Sequence, residues 1–266
     1  MSSNWRSAPL LASAVDNADD VTFLSPTASE ISISLASSRN LPVASWDWDG
    51  VLVDSRRNFY GAYERVLREK GIVTTPREIL LREGEPTPIL LRAIFDGHDI
   101  NVDDHKIREL VVRRREYDFG LGKRKLFPAV PRLLRRLRYA GWRNGLVTGS
   151  SKKSLHKVLQ PEQAGWFDII VTADDVKREK PDPEPFLRAM QALRTEPKAC
   201  VVVENAPFGI HSARAAGCSV IAICRTLSRE DLSEADYVVN DHNELEALLF
   251  GDVPRSDELG LLEGVS

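Results

Sequence analysis

The sequence predicts an α/β fold: a parallel β-sheet core carrying an inserted all-helical cap domain. Three observations lead there. From Leu41 onward, short apolar runs alternate with amphipathic helical runs. The apolar runs are nearly continuous, as in strands covered on both faces. Between Ser55 and about Phe127 the alternation stops, and only helical patterns remain.

The strands expected in order are VASWDW, RNGLVTG, DIIVTA, ACVVVEN, SVIAIC and DYVV. The helices between them are VPRLLRRLRYAG, SSKKSLHKVLQ, PEPFLRAMQAL and PFGIHSARAAG. Gly141 and Gly217 are the helix stops expected at short αβ joints. The insertion reads as FYGAYERVLREKG, PTPILLRAIFDG and HKIRELVVRRREYDF. Placed directly after the first strand, it would sit above that strand's carboxyl end, where open α/β sheets bind ligands. The organisation is therefore a core of 41–55 and 128–251, with the helical cap at 56–127. Residues 1–40, rich in Ser and Ala, form an N-terminal extension expected to be partly disordered, in which ISISL alternates like a half-exposed strand. Residues 252–266 read as an acidic, frayed C-terminal tail.

The chain has 266 residues with 36 Lys+Arg against 39 Asp+Glu, a formal net charge of -3. That balance asks for no nucleic-acid or membrane partner. Cys200, Cys218 and Cys224 fit neither a zinc site nor a disulfide framework and read as small buried hydrophobes. No apolar stretch is long enough to span a bilayer, and the N-terminus has no signal-peptide core. A cytoplasmic protein, monomer or homodimer, is the expectation.

Four strand tips carry polar groups. In PVASWDWDGVLVDS, Asp47 and Asp49 stand one residue apart where the first strand runs out, with Gly50 beginning the exit. Two carboxylates so close are unfavourable unless something separates their roles, such as a divalent cation. A capping turn is the plainer reading of Asp-x-Asp alone. Thr148-Gly149-Ser150 closes the second core strand, either as a helix cap or as an anion site. Lys180 precedes Pro181-Asp182-Pro183 on a non-helical lead-in. It is either a solvated loop lysine or a point charge for a phosphate or a carboxylate pair. Glu204-Asn205 ends VVVEN, offering oxygens to a hard cation or a cap to the next helix. Together they supply a carboxylate nucleophile, a second acid, a hydroxyl, a lysine and metal oxygens, the parts of metal-assisted phosphoryl transfer.

WDWDGVLVDS, LVTGS, KPDPEPF and VVENAPFGIHSARAAG, in that order, resemble the four motifs of the haloacid dehalogenase (HAD) superfamily. They are most similar to its phosphoglycolate phosphatase and β-phosphoglucomutase branch, which carries a helical cap. The resemblance covers about Val43 to Phe250. It implies a Rossmannoid sheet, a Mg2+ cofactor and a small phosphorylated metabolite as substrate. It makes Asp47 the nucleophile and a metal ligand. Asp49 becomes the general acid and then base, its backbone carbonyl touching Mg2+. Thr148, Gly149 and Ser150 bind the phosphoryl oxygens, Lys180 bridges nucleophile and phosphate, and Glu204 and Asn205 complete the metal shell.

Asn205 stands where the family often has an aspartate, which implies weaker Mg2+ binding, tightened by Asn205→Asp. Asp49 argues against dehalogenation, since a leaving alkoxide needs a proton. The expected reaction is phosphatase hydrolysis of a sugar phosphate or phosphoglycolate-type monoester, with a sugar-phosphate mutase as the alternative. Mutases of this branch carry a His a little after the first motif, and Phe59 is near that place here. A non-catalytic phospho-ligand binder is supported by Asn205 alone. REGEPTP resembles the cap loop that closes on substrate, so Arg82, Glu83 and Glu85 are candidates for reaching it, and Gly84 allows close backbone approach. The alternative there is a surface turn. Arg113-Arg114-Arg115 and Lys123-Arg124-Lys125 read mostly as a solvated helix face, with steering of anionic substrates as another use; a nucleic-acid role for this patch is disfavoured by the negative net charge and the lack of interleaved aromatics.

Overall fold

The computed structural model describes residues 42–251. The expected N-terminal extension, its ISISL strand and the C-terminal tail lie outside the described residues. Six strands form one parallel sheet: β1 (Val43–Trp46), β4 (Arg143–Val147), β5 (Ile169–Val171), β6 (Cys200–Glu204), β7 (Ser219–Ile223) and β8 (Tyr237–Val239). Their order is β5-β4-β1-β6-β7-β8. β1 is central: Val43 is in register with Arg143 on one side and Cys200 on the other. The order reverses about β1, so the crevice for ligand lies at its carboxyl end.

Alternate strand residues feed two cores. Ala44, Trp46, Val201 and Val203 pack with α5 (Val130–Tyr139) through Leu133, Leu134 and Leu137, and with α10 (His242–Phe250) through Leu245 and Leu249. Val43, Cys200 and Val202 face the other way. They meet Phe186, Ala189 and Met190 of α8 (Glu184–Leu193) and Ile210 and Ala213 of α9 (Pro207–Ala215). This is why the strands read as continuous apolar runs. The Trp46 indole spends its one polar atom on a buried bond to Asn144 Oδ1, 3.1 Å, across the β1–β4 pair. All three cysteines are free, two of them buried.

Four helices follow the first strand: α1 (Arg56–Arg68), α2 (Pro76–Leu80), α3 (Thr87–Gly97) and α4 (Asp104–Gly120). They close around their own apolar cluster, including Tyr63, Leu67, Ile79, Leu91, Phe95 and Leu110, with no sheet residue in it. The insertion is not purely helical. β2 (Val53–Asp54) pairs antiparallel with β3 (Lys125–Leu126), so a strand lies where only helices were expected. The two chain crossings run side by side there, and pairing satisfies their backbone groups. The expected single helix SSKKSLHKVLQ also differs. It is a short helix, α6 (Lys152–Leu155), capped by the Ser151 hydroxyl on the Ser154 amide at 3.2 Å. A second short helix, α7 (Pro161–Ala164), begins anew at Pro161. Among the described residues, no helix is long and apolar enough to cross a membrane.

Candidate active site

Asp47 is the first residue past β1, and its amide still bonds to Val203 O at 3.0 Å, which fixes it over the β1–β6 pair. The chain then turns: Gly50 has φ +78°, and the Leu52 and Val53 amides both return to Trp48 O. Asp49 therefore leaves the strand direction but stays at the same tip. Both carboxylates line one cavity of about 410 Å3 between the strand ends and the helical insertion.

Lys180 ties three strands together. Only 3% exposed, it directs its ammonium to Asp47 Oδ1 at 2.7 Å, Glu204 Oε1 at 2.6 Å and Val147 O at 3.1 Å. All three of its donors are used. Burial alone would lower the lysine pKa, but the two carboxylates outweigh it and hold the pKa above the ordinary value. Glu204 is fixed from both sides, since its Oε2 accepts the Asn205 amide at 3.0 Å. The chain makes room for it at Gly209, where a Cβ would collide with the Glu204 carboxylate. Burial, followed by the opposing pull of Lys180 and the push of Glu204, raises the Asp47 pKa to about 7.

At the β4 tip, the Thr148 amide bonds to Val171 O at 3.0 Å and its hydroxyl accepts the Ser150 amide at 3.1 Å. Ser150 Oγ in turn reaches Asp49 Oδ2 at 3.4 Å. Gly149 borders the cavity with open space beside its Cα. Thr148, Gly149, Ser150, Asp47 and Asp49 thus line one cavity. Lys180, Glu204 and Asn205 lie beneath it.

Of the REGEPTP loop, Glu83, Gly84 and Glu85 line the cavity. Arg82 does not line the cavity; it pairs with Glu85 at 3.1 Å. Gly84, at φ +93°, does line it, and a Cβ there would lie 3.4 Å from Phe208 Cβ and 3.8 Å from Lys180 Cδ. The loop is therefore seated on the start of α9 and on the lysine stem. Glu83 turns inward and is 5% exposed. Its Oε2 accepts from Asn205 Nδ2 at 2.9 Å, and that amide also donates to Thr226 Oγ1 at 3.0 Å. Burial, then the charges of Asp49, Asp47 and Glu204, push the Glu83 pKa well above the usual carboxylate range.

Arg114 and Arg124, from the basic runs, line the cavity. Arg124 is partly buried, holds Asp118 through two 2.8 Å bonds, and places Nε 3.4 Å from Asp49 Oδ1. Asn58 fixes this linker by donating to Asp118 O at 3.2 Å and Gly122 O at 3.1 Å. Arg114 lies over the Tyr63 ring, 4.7 Å from its centroid, and lines the cavity beside Phe59. The spacing of Arg114 and Arg124 about Asp118 was the available signal, masked by the flanking exposed arginines and lysines. Thr226, after β7, gave no signal.

Among the described residues, no group of three or more His, Cys, Asp or Glu side chains is arranged to hold a metal by itself. A hard cation also takes amide and backbone oxygens, however. Three buried oxygens here have no hydrogen-bond partner, Asn205 Oδ1, Glu83 Oε1 and Asp49 Oδ1. Four carboxylates (Asp47, Asp49, Glu83, Glu204) gather here; among the described residues Lys180 pairs with Asp47 and Glu204, and Arg124 pairs with Asp49 but also serves Asp118. Orphaned oxygens beside an excess of negative charge fit a divalent cation.

Fold and site together define a hydrolase with a parallel α/β core and a helical cap. The chain matches the haloacid dehalogenase-like hydrolase family over residues 45–223. It is 32% identical over 222 residues to hexitol phosphatase A of Escherichia coli (strain K12), covering 80% of this chain and 95% of that protein. It is 30% identical over 213 residues to validoxylamine A 7'-phosphate phosphatase of Streptomyces hygroscopicus subsp. limoneus, covering 76% and 95%. In fold it is similar to β-phosphoglucomutase from Clostridium difficile, with a TM-score of 0.69 at 21% identity over 80% of this chain and 96% of that one. The chain belongs to the haloacid dehalogenase-like hydrolase family, and it is a phosphoric monoester hydrolase of that type.

Proposed function

We propose that the protein is a Mg2+-dependent phosphatase that hydrolyses a small phosphomonoester of the sugar- or polyol-phosphate type through an aspartyl-phosphate on Asp47. The observation that carries this is the Lys180 ammonium held between Asp47 and Glu204 beneath a cavity that Asp49 and Thr148 also line. Asp47, the Asp49 backbone carbonyl, Glu204 and the Asn205 amide oxygen would hold the cation. When bound, it offsets negative charge on the phosphoryl oxygens and the carboxylates.

The Asp47 carboxylate attacks phosphorus, the P–O bond to the alcohol breaks, and Asp49 gives its proton to the departing oxygen. Asp49 then takes a proton from water, whose oxygen attacks phosphorus and releases Asp47 and inorganic phosphate. Lys180 keeps Asp47 oriented for both attacks. Thr148, the Gly149 amide and Ser150 bind the phosphoryl oxygens, and Arg124 holds Asp49 near them. Gly84 brings the cap loop down over the ester, while Arg82 acts only by fixing Glu85.

Relatives named for hexitol phosphate, fructose 1-phosphate and validoxylamine A 7'-phosphate support a polyhydroxylated leaving group. So do Glu85, Thr87, Arg114 and Asp174 on the cavity wall. Phe59, packed against Tyr63 at 5.1 Å, puts no proton-transfer group where a mutase would want one, which favours hydrolysis. Phosphate release from a panel of hexitol, ketose and aldose phosphates, with and without Mg2+, tests the reading. Release that needs Mg2+ and disappears in Asp47→Asn supports it. Release that persists in Asp47→Asn refutes it.

A further inference from the structure

The cap loop and the core meet at a polar contact that substrate binding alone does not explain. Glu83 belongs to the loop between α2 and α3, and Asn205 to the tip of β6. Glu83 Oε2 accepts from Asn205 Nδ2 at 2.9 Å, deep enough that both side chains are buried. Each still presents one buried oxygen without a partner. A buried carboxylate with an unsatisfied oxygen, among three other carboxylates, is costly unless a cation completes the set.

Asn205 is oriented from three directions. Thr226 and Glu83 take its two N–H donors, and a Cβ at Gly50 would collide with its side-chain nitrogen. The amide nitrogen therefore faces the loop and the Gly50 turn, which leaves Oδ1 as the free oxygen. An amide oxygen ligates a hard cation but contributes no charge. The nearest supplementary negative charge is the Glu83 carboxylate on the same amide.

We propose that Glu83 is part of the cation site, a clasp that supplies from the cap the negative charge Asn205 lacks, so that cation binding and docking of the 81–86 loop stabilise each other. The proposal rests on the Mg2+-dependent reading above. Gly84 provides the close approach: it sits against Phe208, the Gly209 amide and the Lys180 stem, so the loop delivers Glu83 only when docked. Linkage makes the coupling reciprocal, with the cation favouring the docked loop and the docked loop tightening the cation.

Calorimetric titration of the full chain with Mg2+, without substrate, measures this directly. Glu83→Gln, which keeps size and acceptor, should weaken Mg2+ binding about 10-fold or more, the usual scale for residues supporting a metal's ligands. Adding Asn205→Asp to Glu83→Gln should restore it by returning the charge on the core side. Two further readouts distinguish a cation role from mere packing. Without metal, Glu83→Gln should melt higher than wild type, because one crowded carboxylate is gone, yet gain less on Mg2+ addition. Hydrogen exchange across 81–86 should slow with Mg2+ in the wild type and not in Glu83→Gln. Equal Mg2+ affinity in wild type and Glu83→Gln overturns the clasp, as does a lower metal-free melting point with an unchanged Mg2+ shift. If phosphate release stays Mg2+- and Asp47-dependent while Glu83→Gln binds Mg2+ normally, the clasp alone fails. If Glu83→Gln weakens Mg2+ but no phosphoester is hydrolysed by the wild type, the hydrolase reading alone fails.

Discussion

Lys180 Nζ lies 2.7 Å from Asp47 Oδ1 and 2.6 Å from Glu204 Oε1, so one buried ammonium joins the tips of β1 and β6. Replacing Lys180 by Met keeps the stem and removes the charge, leaving two buried carboxylates without their cation. The expected loss is about 3–5 kcal/mol of metal-free stability. Denaturant unfolding checks it, and a loss under about 1 kcal/mol would show that the triad is not electrostatically tight.

Gly209 tests the same triad without touching its charges. A side chain there meets the Glu204 carboxylate, which cannot move without giving up Lys180 or the Asn205 amide. Gly209→Ala should cost about 1–3 kcal/mol and lower turnover. Wild-type stability with wild-type turnover would mean that Glu204 has room to shift.

Arg124 is expected to be a positioning residue for Asp49. It reaches Asp49 Oδ1 while anchored by Asp118, and Asn58 fixes the linker around it. Arg124→Gln should lower kcat about 10–100-fold, the scale of a misplaced catalytic group, with KM little changed and the pH profile of kcat displaced. A change confined to KM would instead make Arg124 a substrate contact.

Asp47 carries a pH dependence whose sign is fixed. Unfolded, its carboxyl titrates near 3.8; in the folded metal-free protein burial raises it to about 7. Between those values the folded state holds the extra proton, so this group makes stability fall as pH rises from about 4 to 7, and makes it level above. Saturating Mg2+ takes the proton's place and should flatten the slope. Melting curves of wild type and Asp47→Asn across this range check it. The wild type should lose stability relative to the variant as pH rises, and the opposite trend would contradict the shift.

Much of the core was legible because each of its signals is local. Continuous apolar runs such as VVV at Val201 to Val203 follow from burial on both faces. The strand-tip residues Asp47 and Thr148 reach one place because parallel strands all end on the same side, and Lys180 joins them from the loop that leads into α8. The cap resisted for the opposite reason. Arg124 and Lys125 belong to one basic run, but only tertiary contact turns Arg124 inward onto Asp118 while Lys125 stays exposed in β3. Glu83 lines the cavity, but nothing in REGEPTP tells that its side chain also turns toward the core. The loop seats on α9 at Gly84, and that seating sends Glu83 to Asn205.

The most direct test is acid quenching of the wild-type enzyme during turnover, followed by mass spectrometry of the peptide bearing Asp47. The account predicts one added phosphoryl group on Asp47, dependent on Mg2+ and absent from Asp47→Asn. Turnover at full rate with the phosphoryl group on another side chain, or undiminished turnover by Asp47→Asn, would contradict it.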